Sequence, residues 1–103
     1  MGQERAPRSI TRTGQFKADL KRAQTHRKCD WQALLKAMSD IVARVPLAPS
    51  LLDHPLQGRY PRGRDGSTDC RECHTSNDWL LVYRLPDEES VIFIRCGTHS
   101  DLF

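Results

Sequence analysis

The chain lacks an apolar run approaching the roughly 20 residues needed to cross a bilayer, so no membrane-spanning helix is expected. It lacks an apolar stretch at its start: Met1 to Ile10 carry charge and Pro7. No secretory signal is visible there, and the expected compartment is the cytoplasm. No internal repeat is visible, which argues against a solenoid or propeller. Cysteine is sparse, with only Cys29, Cys70, Cys73 and Cys96. Without an export signal, these read as free thiols rather than a disulfide framework. With 103 residues there is room for one core but no second lobe, so residues 1–103 are expected to form a single domain.

Hydrophobic residues at 38% and charged residues at 28% fit a globular chain better than a disordered one. The net charge of +3 is unevenly placed. Residues 1–50 hold ten Lys/Arg against four Asp/Glu, and residues 51–103 hold six against nine. A basic half suits an anionic partner such as nucleic acid, and it equally suits a solvated helix face.

Arg8 to Thr13 alternate weakly and predict an edge strand, broken at Gly14. Gln15 to His26 predict a helix with Phe16, Leu20 and Ala23 on one side. Lys17, Lys21 and Arg22 make the rest of that helix basic and are candidate RNA contacts. Asp30 reads as an N-cap. A second helix follows, with Trp31, Leu34, Leu35, Met38, Ile41, Val42 and Val45 at helical spacing. Pro46 and Pro49 end it. Pro46 to Asp69 is rich in Pro, Gly and Arg and reads as a loop. Within it, Arg59, Arg62 and Arg64 surround Tyr60, a combination that suits a phosphate backbone and a stacked base, or a plain surface loop. Three strands complete the pattern: Asp69 to Thr75, Trp79 to Leu85, and Val91 to Cys96. The order predicts an α+β fold, with two N-terminal helices packed on one face of a small antiparallel sheet.

Several groups able to move protons flank these strands. By the period of two, Cys70, Glu72 and His74 share one strand face, while Arg71 and Cys73 share the other. Asp78 closes the turn before Trp79, His99 follows the last strand, and His54 opens the basic loop. In a meander these groups would gather around one groove. Cleavage of RNA without a metal needs a base for the 2′-hydroxyl proton and an acid for the leaving 5′-oxygen. It also needs a cation for the charged intermediate. His54, His74 and His99, the acids Glu72 and Asp78, and Arg71 or Arg95 supply such a set. Other roles stand beside this one. His26 reads as a helix-end surface residue, His54 as a loop residue, Asp78 as a turn acceptor, Arg95 as an ion-pair partner and Trp79 as core.

Cys70-Arg71-Glu72-Cys73-His74 matches the C-x-x-C-H pattern of c-type haem attachment. It falls in a predicted strand, and no export signal accompanies it. A zinc site from Cys70, Cys73 and His74, with Cys96 or His99, is a further alternative, although neighbouring strand residues point to opposite faces.

The blocks Asp53-His54-Pro55-Leu56-Gln57-Gly58, Arg71-Glu72-Cys73-His74, Asp78-Trp79-Leu80-Leu81-Val82-Tyr83 and Arg95-Cys96-Gly97-Thr98-His99-Ser100-Asp101-Leu102-Phe103 together resemble the YafQ branch of the RelE toxin family, over roughly residues 8–103. The resemblance implies a type II toxin with a small α+β fold. Its activity would be a ribosome-dependent, metal-free mRNA endonuclease that needs no cofactor and is held inactive by a cognate antitoxin. In that reaction the RNA 2′-hydroxyl attacks the neighbouring phosphate. By matching position, His54, His74, Asp78 and His99 are the implied catalytic set, with Glu72 at an acidic position. Phe103 resembles a C-terminal aromatic that places the RNA. His99 is the expected general acid, and His54 or His74 the base. The basic loop from Arg59 to Cys70 is longer than the family pattern. The rival class is a non-catalytic module that binds nucleic acid or zinc.

Overall fold

The computed structural model describes residues 5–56 and 70–102. In chain order it contains β1 (Ser9–Arg12), α1 (Gly14–Ala23), α2 (Trp31–Ala43), a short 3₁₀ turn (Pro49–Leu51), β2 (His54–Pro55), β3 (Cys70–Ser76), β4 (Trp79–Arg84), β5 (Ser90–Gly97) and α3 (His99–Leu102). The strands form one sheet in the order β1-β5-β4-β3-β2.

The α+β class holds, and the sheet is mixed. β2 to β5 pair antiparallel, while β1 lies parallel to β5 with Ser9 opposite Ser90 and Arg12 opposite Phe93. A parallel pair needs a long crossover, and here most of the chain lies between its two strands. Gly14 starts α1 rather than merely ending β1. The Thr13 hydroxyl caps the helix by accepting from Phe16 N and also donates to the Ile94 carbonyl at 2.7 Å, tying the helix start to β5.

Asp30 caps α2 as its sequence position predicts, accepting from Ala33 N at 3.0 Å. The helix ends at Ala43 because Arg44 turns left-handed, at φ 67°, and its N–H caps the Asp40 and Ile41 carbonyls. Its buried stripe is Leu34, Ala37 and Ile41, whereas Leu35 and Val45 of the expected stripe face solvent.

α1 and α2 cover one sheet face. Phe16, Ala23, Leu34, Ala37 and Ile41 pack there on Cys73, Leu81, Tyr83, Val91, Phe93 and Cys96. Phe16 and Phe93 stack with ring centroids 5.4 Å apart. Each fully buried side chain of this size stabilises the fold by roughly 1.5–3 kcal/mol. The opposite face has a smaller apolar group, with Cys70, Leu80 and Val82 covered by Leu56 and by Leu102 of α3. Two elements have no counterpart in the sequence expectation. β2 has two residues and α3 has four, too few for either to show a period.

Asp19 is a charged residue in an apolar position, 2% exposed on α1. It accepts Arg95 Nε at 2.6 Å, Arg95 Nη2 at 3.1 Å and the backbone N–H of Cys96 at 3.2 Å. β1 pairs with β5 only as far as Phe93, so the Asp19 carboxylate satisfies an edge N–H of β5 beyond that point. Arg22 also pairs with Asp19.

Candidate active site

The expected alternation along β3 is present. Arg71 and Cys73 face the helices, while Cys70, Glu72 and His74 belong to the other face. β2 pairs with the outer edge of β3 and places His54 opposite Glu72. His54 Nε2 and Glu72 Oε1 are 3.2 Å apart, with His54 half exposed and Glu72 buried. Two residues along β3, His74 lies opposite Leu80 of β4, which in turn lies opposite Gly97 of β5. His74 Nδ1 and Glu72 Oε2 are buried with no hydrogen-bond partner among the described residues. Buried polar groups are usually paired, and groups left without a partner are candidates for chemistry.

A second contact lies at the β3–β4 turn. Asp78, in the β3–β4 turn, accepts the backbone N–H of His99 through Oδ1 at 3.1 Å. Its Oδ2 pairs with Lys28 Nζ at 3.1 Å. The His99 N–H, and then Lys28, hold the Asp78 carboxyl below the usual carboxylate range. Lys28 belongs to the α1–α2 connection, which is fixed to β3 by Ser76 Oγ donating to the Lys28 carbonyl at 3.1 Å. A cavity of about 460 Å³ opens between that connection and the turn, with Arg27, Lys28 and Asp78 in its wall. The structure therefore forms two contacts, His54 with Glu72 and Asp78 with His99, and His74 lies on the Glu72 strand face.

The expected RNA contacts separate into groups. Lys17, Lys21 and Arg22 are exposed on α1. Arg71 and Arg95 are engaged by carboxylates: Arg95 by Asp19, and Arg71 by Asp53, with Nη2 at 2.7 Å and Nε at 3.3 Å. Arg59, Arg62, Arg64 and Phe103 lie outside the described residues. Trp79 is a core residue, 2% exposed, and His26 packs beside it with ring centroids 4.9 Å apart, not at the open surface.

The haem and zinc alternatives gain no support from this geometry. Cys70 and Cys73 are both buried, and Cys73 faces the helices, away from His74. Cys29, Cys73 and Cys96 are free thiols. Burial pushes the Cys73 and Cys96 thiols up to about 12. Among the described residues, no three His, Cys, Asp or Glu side chains are gathered to hold a metal ion, and no helix is long and apolar enough to cross a membrane.

The residues that sequence reasoning missed are the carboxylates that hold these groups in place. Asp19 sits three residues after Phe16 on a buried stripe, which was a readable signal. Asp53 stands directly before His54, but its partners lie far along the chain. Lys28 gave no signal beyond its charge.

A small α+β domain with two helices packed on one face of a five-stranded sheet is a fold shared with known bacterial toxins. The chain superposes with a TM-score of 0.76 on the toxin of the Escherichia coli DinJ–YafQ toxin–antitoxin complex, at 35% identity over 94% of this chain and 98% of that one. A metal-bound toxin from Helicobacter pylori gives a TM-score of 0.74 at 35% identity, covering 92% of this chain and 98% of that one. In sequence, the chain is 37% identical over 97 residues to the mRNA interferase toxin YafQ of E. coli, spanning 93% of this chain and 96% of that protein. The profile of the YafQ family, bacterial toxins of type II toxin–antitoxin systems, matches residues 8–103, and this chain belongs to that family.

Proposed function

We propose that this chain is an mRNA endonuclease that acts on the ribosome without a metal or other cofactor, and that a cognate antitoxin holds it inactive. The observation that carries this reading is a pair of contacts, His54 with Glu72 on one sheet face and Asp78 with His99 at the β3–β4 turn, with His74 on the same face as Glu72. Three histidines supply both a proton acceptor and a proton donor. The E. coli relatives support the activity and the partner: one is named an mRNA interferase toxin, and the other is bound to DinJ.

In this reading His54 or His74 takes the proton of the RNA 2′-hydroxyl, which attacks the adjacent phosphate. The P–O bond to the 5′-oxygen breaks, and His99 protonates that oxygen. The products are a 2′,3′-cyclic phosphate and a free 5′-hydroxyl. Glu72 orients His54, while Asp78 fixes the backbone at His99. Lys28, Lys17, Lys21 and Arg22 present positive charge to the RNA backbone. Arg71 and Arg95, with Arg59, Arg62 and Arg64 of the basic loop, are further candidate contacts, and Phe103 is the candidate aromatic that places the RNA. Ribosomes as the site of action imply the cytoplasm.

The test is single-turnover cleavage of mRNA on programmed ribosomes, by protein stripped of metal with a chelator. Cleavage leaving a cyclic phosphate, and growth arrest when the chain is expressed without an antitoxin, are expected. Cleavage that needs added zinc, or no cleavage with unimpaired growth, would overturn the reading.

A further inference from the structure

β2 is a short strand, yet it carries His54. It has only two residues, and Pro55 has no N–H to give to the sheet. Leu52, two residues before His54, is left-handed at φ 53° and ψ 43°, a conformation that L-residues other than Gly, Asn and Asp seldom adopt. Leu52 is also 61% exposed, so no burial of its side chain offsets that cost. The Leu56 N–H, donating to the Cys70 carbonyl at 2.8 Å, anchors the end of this segment after β2, and the end before it needs a hold of its own.

Asp53, between Leu52 and His54, makes the contacts that provide it. Its Oδ1 accepts the Tyr83 hydroxyl at 2.5 Å, and its Oδ2 accepts Arg71 Nη2 at 2.7 Å. Tyr83 is 3% exposed within the helix-side core, so its hydroxyl is a fixed point and needs a partner. Burial, and then the Asp53 carboxylate, push the Tyr83 hydroxyl pKa up, so it remains a donor. Successive side chains of an extended segment point to opposite sides. Asp53 therefore reaches around the β3 edge to the helix-side residues Arg71 and Tyr83, while His54 meets Glu72 on the other face. The two neighbouring side chains straddle the edge of β3.

We infer that Asp53, locked by Tyr83 and Arg71, is a positioning residue that sets where the His54 imidazole stands for mRNA cleavage. The inference rests on the proposed function and adds to it a role for three residues that do not touch the reacting atoms. It also gives the Arg71 guanidinium a structural partner. Misplacing a reacting group by about 1 Å can cost on the order of 10²-fold in rate.

The experiment compares Asp53→Asn and Tyr83→Phe with the wild type in single-turnover cleavage on programmed ribosomes. Tyr83→Phe keeps the buried ring and removes one hydrogen bond, so it reports on the clamp should Asp53→Asn fold poorly. Each variant should lose on the order of 10- to 10²-fold in the cleavage rate constant with ribosome affinity unchanged. In a His54→Ala background neither substitution should cost anything further, because the clamp acts only through His54. In the NMR spectrum of the free protein, the contact between the His54 ring and Glu72 should vanish in both variants. Rates within twofold of wild type, or the same loss with and without His54, would overturn the inference. The NMR contact needs no substrate, so failure of the cleavage reading itself, seen as an inactive wild type, is distinguishable from failure of the clamp.

Discussion

The two faces of β3 to β5 are built from alternate residues of the same three segments, and they have opposite properties. Toward the helices, Cys73, Leu81, Tyr83, Val91, Phe93 and Cys96 meet a full layer from α1 and α2. On the other side, Cys70, Leu80 and Val82 share the surface with Glu72 and His74, under a thin cover from Leu56 and Leu102. A sheet of this size needs only one closed face to be stable, which leaves the other for groups that would be costly in a core. Substitutions on the helix side should therefore act on stability, and those on the open side on chemistry.

The largest expected effect tests the closed face. Phe93 is fully buried and stacks on Phe16. Phe93→Ala should destabilise by about 3–5 kcal/mol, much of the roughly 5–15 kcal/mol that holds a small domain together. Urea unfolding followed by circular dichroism measures it. Any activity lost should track the unfolded fraction, and a change below about 1 kcal/mol would show that the helix layer is not the stabilising one.

The open face should give the reverse. His99 is exposed at the start of α3, and its backbone N–H meets Asp78. His99→Gln keeps the hydrogen-bonded backbone and removes the imidazole. General acid–base catalysis typically contributes about 10²–10⁴-fold, so cleavage should fall by about that factor. The melting temperature should scarcely move, since surface substitutions usually stay within about 0.5 kcal/mol. Antitoxin binding should remain. Near-normal cleavage would remove His99 from the mechanism, and a collapse in melting temperature would assign it to the fold.

What could be read from the sequence follows from element length. α2 spans 13 residues, and β4 and β5 are apolar runs bounded by turn residues, so their periods are visible. The division of Glu72 and His74 from Arg71 and Cys73 needed only the alternation of a strand. β2 and α3 are too short to carry any period, and they place His54 and His99. The parallel pairing of β1 depends on tertiary contacts with β5. Arg71 and Arg95 read as cations for RNA because their partners, Asp53 and Asp19, lie 18 and 76 positions away. A carboxylate at such a distance leaves no local pattern.

The smallest expected effect concerns how Asp78 joins the two regions, since it links the α1–α2 connection to the open face through Lys28 and His99. Its folded pKa is depressed, first by the His99 N–H and then by Lys28. A carboxyl of this kind stabilises the fold above its unfolded pKa of about 3.9, and the contribution is lost as pH falls through the lower folded value. In His99→Gln, which keeps the backbone N–H and removes the ring, the backbone amide at position 99 should therefore hold its resonance from neutral pH down to about 4 and shift only below it. Asp78→Asn should abolish that shift. Lys28→Met should move the midpoint up toward the ordinary carboxyl value without reaching it, because the stronger cause, the amide donor, remains. Global stability should change little, since Asp78 and Lys28 are both solvent-accessible and surface pairs contribute weakly. In that background, an amide shift centred at or above pH 4, or one that persists in Asp78→Asn, would show that the Asp78 carboxylate does not hold this turn.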